Sequence, residues 1–501
     1  MSVIDRIFNA LDIESRGYIL KQDLIQALLD RGVLLEDSRI RQTAQGLKKF
    51  KEKDKINATA FQELVSPHIT LIEKALTGNL VIPDFKNFAS FITNLYNRTL
   101  QNEEGKVSEY IPELADVDPT SYALSVCTVD GQRFNIGNYN KPYLARETAK
   151  SLNYCLAFDE MDEIGIHQKV GRAPKEKGFD YLMLDQDERP HNPLTGSGAL
   201  MIGSLCSNFD KVKKLWKEMA GGIASGWSEK AFASEKRIAD SDRALAYFMQ
   251  QKRLFAKGSN VNQYLEFLWQ CYAIETTTEA QAVIAATFAN AGVCPTSEQE
   301  VLKPATAKHC LSIMAIAGVG DYSSEYAYAI GLPATSGISG VVMIAVPDVM
   351  GVAIWSPRIN ADGNSIKGLD FSHKFVERFN FHAFDSAIKN VGKVDPRLKK
   401  NETKMKGVMA VTSAASIGDL DELQRLYSAG VDLNEGDYDM RTGIHVAASE
   451  GHIKAVEFFI EKNVDINPKD RWGGTPLADA KREGHKAILE LLKKHGGTEK
   501  A

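Results

Sequence analysis

Apolar side chains recur every three or four residues through the N-terminal part of the chain, up to about residue 95. Residues at this spacing share one face of an α-helix, so the pattern predicts helices throughout. Residues 1–100 are therefore expected to form an α-helical domain. The apolar positions of the first two predicted helices are Ile7, Phe8 and Leu11, followed by Leu24, Leu28 and Leu29.

The pattern changes in residues 101–390, where short β-rich runs alternate with long helical stretches. Residues 122–129 and 340–346 are predicted strands. The second strand is joined through a Pro-Asp-Val-Met-Gly turn to residues 352–355, which indicates a hairpin. This mixture favours an antiparallel sheet with helices packed around it. The clearest helical stretches are residues 240–251 and 263–272.

A period of 33 residues separates Gly418, Gly451 and Gly484 in the C-terminal part. Self-similarity at this period, with Thr442 and Thr475 also 33 residues apart at the start of predicted helices, is typical of ankyrin repeats. Residues 409–501 are therefore predicted to form two full repeats and a partial one, in a short stack. The lysine-rich residues 391–408 are a predicted linker.

The composition is that of an ordinary globular protein. A chain of 501 residues with 44% hydrophobic and 25% charged residues is expected to hold two to four domains. The formal net charge of −5 gives no electrostatic footprint for nucleic acid. The lysine-dense residues 48–55 are predicted to be a solvated helix face, because Glu52 and Asp54 interrupt them.

Cysteine spacing and hydropathy exclude several other classes of protein. The six cysteines lack the paired spacing of zinc sites, so neither a metal site nor a disulfide framework is predicted. No apolar run approaches the roughly 18 residues of a membrane span. Asp5 and Asp12 come early, unlike in an Arg-rich, acid-poor presequence, so we expect a cytosolic protein. No cofactor is expected.

Residues 12–23, between the first two predicted helices, resemble the calcium loop of an EF-hand, with Gly17 at the sharp turn. Such a loop supplies oxygen ligands at alternate positions and usually a bidentate glutamate at the twelfth. Here the fifth position is Arg16 and the twelfth is Asp23. We therefore predict a helix pair kept for packing, with a calcium switch as the alternative.

Seven short strings occur in order along the chain and carry a resemblance to a known family. They are Gly-Lys-Val at 105–107, Tyr-Ile-Pro at 110–112, Val-Cys-Thr-Val-Asp-Gly-Gln-Arg at 126–133, Pro-His-Asn-Pro at 190–193, Gly-Leu-Pro-Ala at 331–334, Trp-Ser-Pro at 355–357 and Lys-Asp-Arg-Trp at 469–472. With the three-part layout, they resemble animal glutaminases, which hydrolyse glutamine to glutamate and ammonia. The resemblance implies a β-lactamase-like α/β domain at residues 101–390, flanked by the EF-hand-like domain and the ankyrin stack. It also implies dimers and tetramers, and tetramers that can stack into filaments.

Carried over residue by residue, the resemblance places a degenerate pocket in this chain. The family's serine nucleophile falls on Glu147, while its general-base lysine is retained as Lys150. Tyr110 matches a tyrosine that assists the chemistry, and Glu235 matches a glutamate that binds substrate. The other pocket positions depart from the family: two asparagines become Gly196 and Asp242, two tyrosines become Leu268 and Gly320, and the oxyanion-hole valine becomes Ile338.

A carboxylate at position 147 cannot replace a serine hydroxyl, because it has no proton to lose and attacks amides poorly. We predict that Glu147 pairs with Lys150 one helical turn away and holds that amine protonated. Loss of the nucleophile alone removes roughly a million-fold of rate in a serine hydrolase. No catalytic residue and no metal ligand is therefore expected, and the chain is predicted to be a pseudoenzyme.

A scaffold kept without its chemistry is most simply explained by assembly. When one oligomer contacts the next through two different surfaces, the series of contacts need not return to its start, so it can grow into a filament. The resemblance places the stacking surface near a mobile loop, residues 177–183. We therefore predict a self-assembling filament with a structural, cytoskeleton-like role. The interface residues expected are Phe179, Asp180, Tyr181, Leu182 and Met183.

Three other functions stay open at this stage. The chain could co-assemble with an active glutaminase and regulate it without catalysis. The ankyrin stack could serve as a plain binding module that recruits a protein partner. A residual or altered amide hydrolase, with Glu147 as a different nucleophile, is the third.

Overall fold

The computed structural model shows two compact units, Met1–Phe384 and Asp385–Ala501. The first unit contains the helical N-terminal part and the mixed central part, and the second contains the repeats. The structure describes residues 3–12, 15–52, 54–174, 182–388, 392–398, 400–428 and 431–499.

The N-terminal part is helical, as the apolar spacing predicts, and it has its own buried apolar core. Two short strands interrupt the helices and pair antiparallel, with Ile19 opposite Ile56. The helices are α1 Val3–Leu11, α2 Lys21–Leu29, α3 Arg41–Leu47, α4 Ala58–Val65, α5 Ile69–Leu76 and α6 Phe85–Leu100, and the strands are β1 Tyr18–Leu20 and β2 Lys55–Asn57.

The prediction of a helix face at residues 48–55 is wrong. Helix α3 ends at Leu47, and the lysine-dense stretch forms a turn that leads into β2. The turn is closed by Asp54, whose carboxylate accepts a hydrogen bond from the Lys51 N–H at 2.7 Å. An aspartate that bonds a neighbouring backbone N–H offers the chain an alternative to the helix, which explains why the helix stops here.

Hydrogen bonds around Gln132 fix the helical part to the central part. The Gln132 side-chain amide donates to the carbonyl oxygens of Arg31 and Ile82, at 2.9 and 3.0 Å, and accepts from the Ile82 N–H at 3.0 Å. The Arg133 N–H donates to the Gly32 carbonyl at 2.8 Å. Because Gln132 is buried and its amide nitrogen and oxygen are both hydrogen-bonded, this contact has little freedom to rearrange.

A five-stranded antiparallel sheet forms the centre of the first unit. In chain order the strands of this part are β3 Lys106–Val107, β4 Ala123–Thr128, β5 Arg133–Gly137, β6 Tyr143–Leu144, β7 Gly226–Trp227, β8 Ile274–Thr276, β9 Ala334–Gly337, β10 Val341–Val346, β11 Met350–Trp355 and β12 Arg358–Ile359. The sheet order is β5-β4-β11-β10-β9, and β10 and β11 form the predicted hairpin. The antiparallel sheet predicted from the sequence is confirmed.

Helices cover both faces of this sheet. The helices of the central part are α7 Pro112–Ala115, α8 Ala149–His167, α9 Gly196–Cys206, α10 Phe209–Met219, α11 Glu229–Ile238, α12 Asp240–Gln251, α13 Val261–Tyr272, α14 Thr278–Ala289, α15 Pro304–Ala317, α16 Ser323–Ala329 and α17 Ile366–Arg378. Helix α14 lies so close to β11 that a Cβ on Gly351 would be 2.2 Å from the Ala286 nitrogen. Helix α17 packs on the opposite face, where its Gly368 lies against Val342. Ala345 is opposite Gly351 and so shares its face, and Val342 points the other way because it is an odd number of residues, three, from Ala345. This arrangement explains why β4, β10 and β11 are buried along their whole length.

The second unit is a stack of helix pairs, as the 33-residue period predicts. Three pairs lie among its described residues, where the sequence predicted two repeats and a part of a third. The first helix begins at Lys400, inside the segment predicted as a linker, so that segment is partly helical. The helices are α18 Lys400–Ile417, α19 Leu420–Ser428, α20 Gly443–Glu450, α21 Ile453–Glu461, α22 Pro476–Arg482 and α23 Lys486–Lys494.

Protonation of His445 is expected to loosen this stack. Its ring is buried between the Thr442 hydroxyl at 3.0 Å and the Gly474 carbonyl at 3.2 Å. Burial lowers the pKa of His445 below its ordinary 6.5, although the Gly474 carbonyl opposes the shift. Because the folded value lies below the unfolded one, the neutral ring's contribution to stability is complete above about pH 6.5 and falls at lower pH.

Hydrogen exchange in the full chain would check this expectation. After correction for intrinsic exchange rates, helix α20 should exchange faster at about pH 5.5 than at about pH 7. His445→Gln should weaken this pH dependence, whereas His495→Gln, at an exposed histidine of the same unit, should leave it unchanged. Equal protection of α20 at both pH values would contradict the assignment.

Candidate active site

A short 3-10 turn, Arg146–Thr148, positions the charged residues of the pocket. Strand β6 leads into the turn and is paired with β8. The Gln281 side chain accepts from the Tyr143 hydroxyl at 3.0 Å and donates to the Thr148 hydroxyl at 2.7 Å. Strand pairing and this buried amide therefore hold the turn from two sides, and helix α8 begins directly after it.

Arg146 lies at the centre of the pocket. One guanidinium nitrogen donates to the Glu235 carboxylate at 2.6 Å and a second at 3.4 Å. Both side chains are nearly inaccessible to solvent, at 4% and 2% exposure. Charge-assisted pairs with two such bonds are the strong ones. The Arg146 guanidinium is thus bound to the carboxylate of Glu235, the residue that the resemblance assigns to substrate binding.

Two tyrosine rings enclose the same guanidinium. The Arg146 guanidinium carbon lies 5.0 Å from the ring centroid of Tyr110 and 5.0 Å from that of Tyr272. Burial alone would lower the pKa of Arg146, but the carboxylates of Glu147 and Glu235 outweigh it and raise the pKa. Burial, followed by the charges of Glu235 and Asp242, raises the pKa of the Tyr110 phenol. Two aromatic faces and a carboxylate form a cage for a cation, and Arg146 fills it.

The backbone of Arg146 is strained, since it has a φ of +44°. A residue with a side chain adopts this left-handed region only where its surroundings compensate the cost of about 1–3 kcal/mol. Here the ion pair with Glu235 and the two tyrosine rings supply the compensation. This backbone conformation directs the Arg146 side chain into the pocket.

Glu147 lies against the backbone of Gly337, where a Cβ would come within 2.0 Å of its Oε2. Its other oxygen is 3.7 Å from Nε of Arg146. The prediction that Glu147 pairs with Lys150 is wrong, because the adjacent guanidinium attracts the carboxylate instead. Oε2 of Glu147 is buried and has no hydrogen-bond partner. The carboxylate therefore lies at the position that the resemblance assigns to the nucleophile, without the donor that a hydroxyl would supply.

Lys150 is half-buried in the first turn of α8, and its ammonium donates to the Leu194 carbonyl at 3.2 Å. Burial lowers the pKa of Lys150, and the carboxylates of Glu147 and Asp242 only partly offset this. The prediction that the Glu147 charge favours the protonated amine has the right direction, but burial outweighs that charge and the net pKa is lowered. A lysine with a lowered pKa is suited to act as a general base, but residue 147 carries no hydroxyl proton for it to take.

Asp242 lies near the same pocket, buried in the first turn of α12. Its Oδ2 accepts from the Trp269 indole N–H at 3.1 Å. Its charge also acts on Tyr110 and Lys150. The structure thus places a negative charge beside the pocket, where the resemblance expects a neutral amide.

Five of the nine site residues predicted from the sequence interact in one charged cluster. Tyr110, Glu147, Lys150, Glu235 and Asp242 interact with one another directly or through Arg146. The other four lie in different settings: Gly196 starts α9, Leu268 is in the apolar core, Gly320 is exposed with a φ of +61°, and Ile338 follows Gly337 and packs on an apolar cluster with Ile111.

The predicted interface loop is described only in part. Phe179, Asp180 and Tyr181 lie outside the described residues. Leu182 and Met183 are each 38% exposed. Apolar side chains left in solvent at adjacent positions are compatible with a contact surface.

The described part of the chain has neither a metal cluster nor a membrane-spanning helix. No group of three or more His, Cys, Asp or Glu side chains there is arranged to hold a metal ion. No helix among those residues combines the length and apolarity needed to cross a membrane. The six cysteines are buried free thiols.

The antiparallel sheet between helices, with a lysine in the first turn of the helix after the pocket, defines a β-lactamase-like α/β domain. The structure of Mglu in its glutamate form matches with a TM-score of 0.56 and 23% identity, over 59% of this chain and 69% of that one. The probable glutaminase ybaS matches with a TM-score of 0.55 and 24% identity, over 59% of this chain and 97% of that one. At this level of identity the likeness concerns the fold.

This chain belongs to the glutaminase family. A family model described as Glutaminase matches residues 105–384, an EF-hand domain model matches 3–83, and a model of three ankyrin repeats matches 411–500. Putative glutaminase 2 of Caenorhabditis elegans is 35% identical, over 98% of this chain and 85% of its own length. The glutaminase liver isoform, mitochondrial, of Mus musculus is 35% identical, over 93% of this chain and 79% of its own length.

Sequence reasoning missed Arg146 and Tyr272. A signal for the first was present, because Arg146 and Glu147 form an adjacent pair of opposite charges one residue after the apolar Tyr143–Leu144 strand. No local signal marked Tyr272, which ends a long apolar helix and reaches the pocket only through the fold.

Proposed function

We propose that this glutaminase-family chain is a pseudoenzyme that assembles into filaments with a structural role. The ion pair between Arg146 and Glu235 carries the first part of the proposal. A substrate amine would have to displace a buried, doubly hydrogen-bonded guanidinium from between two aromatic rings. With a carboxylate at position 147 as well, both substrate binding and nucleophilic attack lack the groups that they need.

Assembly is the second part of the proposal. The described fold is complete around the pocket, and sheet, hairpin and repeats agree with one another. The adjacent exposed apolar residues Leu182 and Met183 support a contact surface at the end of the interface loop. Without a catalytic cycle, nothing requires this loop to move between states, so a polymer formed through it would be permanent.

Negative-stain electron microscopy of the full chain at micromolar concentration tests this proposal. We expect long filaments with and without added glutamate or phosphate, because the pocket is filled by the chain itself. Discrete dimers or tetramers in every condition would refute the filament. Filaments that form only with one of these additives would show a ligand-controlled polymer instead.

Leu182→Asp is expected to dissolve the filaments and leave smaller oligomers. A carboxylate in an apolar contact carries a desolvation cost of several kcal/mol, repeated at every subunit contact. Leu100→Asp is the matched control, since Leu100 is exposed to a similar extent, 37% against 38%. Filaments of unchanged length with Leu182→Asp would show that the interface lies elsewhere.

A further inference from the structure

Two aspartates of the EF-hand-like loop accept hydrogen bonds from backbone N–H groups of its described residues. Both oxygens of the buried Asp12 are engaged by backbone N–H groups, Oδ1 by Arg16 at 2.9 Å and Oδ2 by Gly17 at 2.7 Å. At the other end of the loop, Oδ2 of Asp23 accepts from the Leu20 N–H at 2.9 Å. These aspartates occupy the first and twelfth positions, from which an EF-hand loop contacts calcium.

The guanidinium of Arg16 lies between the two carboxylates. Its Nε is 3.8 Å from Oδ1 of Asp12, and its terminal nitrogen is 3.7 Å from Oδ2 of Asp23. The guanidinium carbon of Arg16 also lies 5.2 Å from the ring centroid of Tyr18. The ammonium of Lys55 lies 4.2 Å from the same centroid. A fixed positive charge therefore bridges the two ends of the loop.

The second loop of the pair is held in a related way. Because Ile19 and Ile56 are opposite each other, the first and third positions of the second loop are Lys49 and Lys51, and its twelfth is Ala60. These positions carry no carboxylate. The ammonium of Lys21, from the first loop, donates to the Phe50 carbonyl in the second at 2.8 Å. In this loop the cation of the chain contacts a backbone oxygen, whereas in the first loop it lies beside carboxylates.

Calcium does not fit the described part of this module. The ion takes six to eight oxygen ligands, whereas the fifth position of the first loop is a cation and the second loop offers lysines. We propose that Arg16 replaces the calcium ion as the resident charge of the loop. The module is then locked in one conformation, independent of divalent cations.

The loop conformation also affects the contact between helix α2 and the central sheet. The helix that follows the loop, α2, ends just before Arg31 and Gly32, whose carbonyl oxygens accept from Gln132 and Arg133. Because the loop sets the start of α2, its fixed conformation also fixes this contact with the central sheet. The N-terminal module would then hold the central sheet in place permanently, whether or not the pocket is catalytic and whether or not the chain forms filaments.

Hydrogen exchange of helices α1 and α2 in the full chain, with calcium and with a chelator, tests the proposal. The unmodified chain should show the same protection in both conditions. Arg16→Gln should raise exchange by about tenfold in both, because Asp12 is left buried without its counter-charge. Arg16→Lys should retain most of the protection, and Arg6→Asp, at an exposed arginine of α1, should change nothing.

Arg16→Asp provides the decisive comparison. A carboxylate at the fifth position, added to those that the sequence carries at the first, third and twelfth, should make protection depend on calcium, with loss in the chelator and recovery in calcium. Calcium-dependent protection in the unmodified chain would overturn the proposal. Wild-type protection in Arg16→Gln would overturn it as well, because the guanidinium would then contribute nothing to the closed loop.

Discussion

Glu147→Ser is expected to leave the chain without measurable hydrolysis of glutamine. The change restores a hydroxyl one turn before Lys150, whose lowered pKa suits a general base. It does not free Glu235, because the Arg146 guanidinium stays paired with it at 2.6 Å. Nor does it remove the negative charge of Asp242 beside the pocket. The serine would therefore have no bound amide to attack.

The measurement is ammonia release from glutamine, with an active glutaminase such as the mouse liver isoform as the positive control. Removing a nucleophile costs roughly a million-fold in rate, so a single restored serine would produce a large signal if it were sufficient. Turnover by Glu147→Ser would sink the argument that Arg146 blocks the site. Activity that appears only when Arg146→Gly is added would instead support the block, and glycine suits the positive φ of this position.

The second large effect is expected from Glu235→Gln. This change keeps the shape of the side chain but leaves the buried Arg146 without its main counter-charge, and Glu147 at 3.7 Å compensates only in part. Breaking a buried ion pair from one side typically costs about 3–5 kcal/mol. The unfolding transition of the first unit should therefore shift to markedly lower denaturant concentration.

The double variant Arg146→Met/Glu235→Leu is the informative control. Replacing both members of a buried pair with apolar side chains is often neutral or stabilising, so most of the lost stability should return. Glu266→Gln, at an exposed ion pair with Lys236, should change stability by less than about 1 kcal/mol. A loss below about 1 kcal/mol in Glu235→Gln would show that the pair contributes little.

Two arginines of this chain lie against carboxylates at positions that the sequence predicts for ligand sites. Arg146 is paired with Glu235, and Arg16 lies between the aspartates of the EF-hand-like loop. On both proposals above, a covalently attached cation replaces a diffusible one, so no ligand concentration controls the site. Such a chain is suited to a constant structural state.

Much of the fold could be read from the sequence because it depends on local periodicity. The β10–β11 hairpin, helix α12 and the ankyrin helices arise from spacing and turn residues that act over short stretches. Among the described residues, the helix predicted at 48–55 is absent for two reasons. Asp54 bonds the Lys51 N–H, and the strand that follows pairs with β1, from a distant part of the chain.

The sequence by itself determined the family and the three-part layout, since these depend on residue identity and order, and it predicts that Glu147 stands where the family has its serine. The tertiary structure alone decided the partners of the charges. Glu147 pairs with Arg146 and not with Lys150, because a strained turn places the guanidinium between α11 and Tyr272. An ion pair depends on distance and burial in three dimensions, and spacing along the chain does not fix either one.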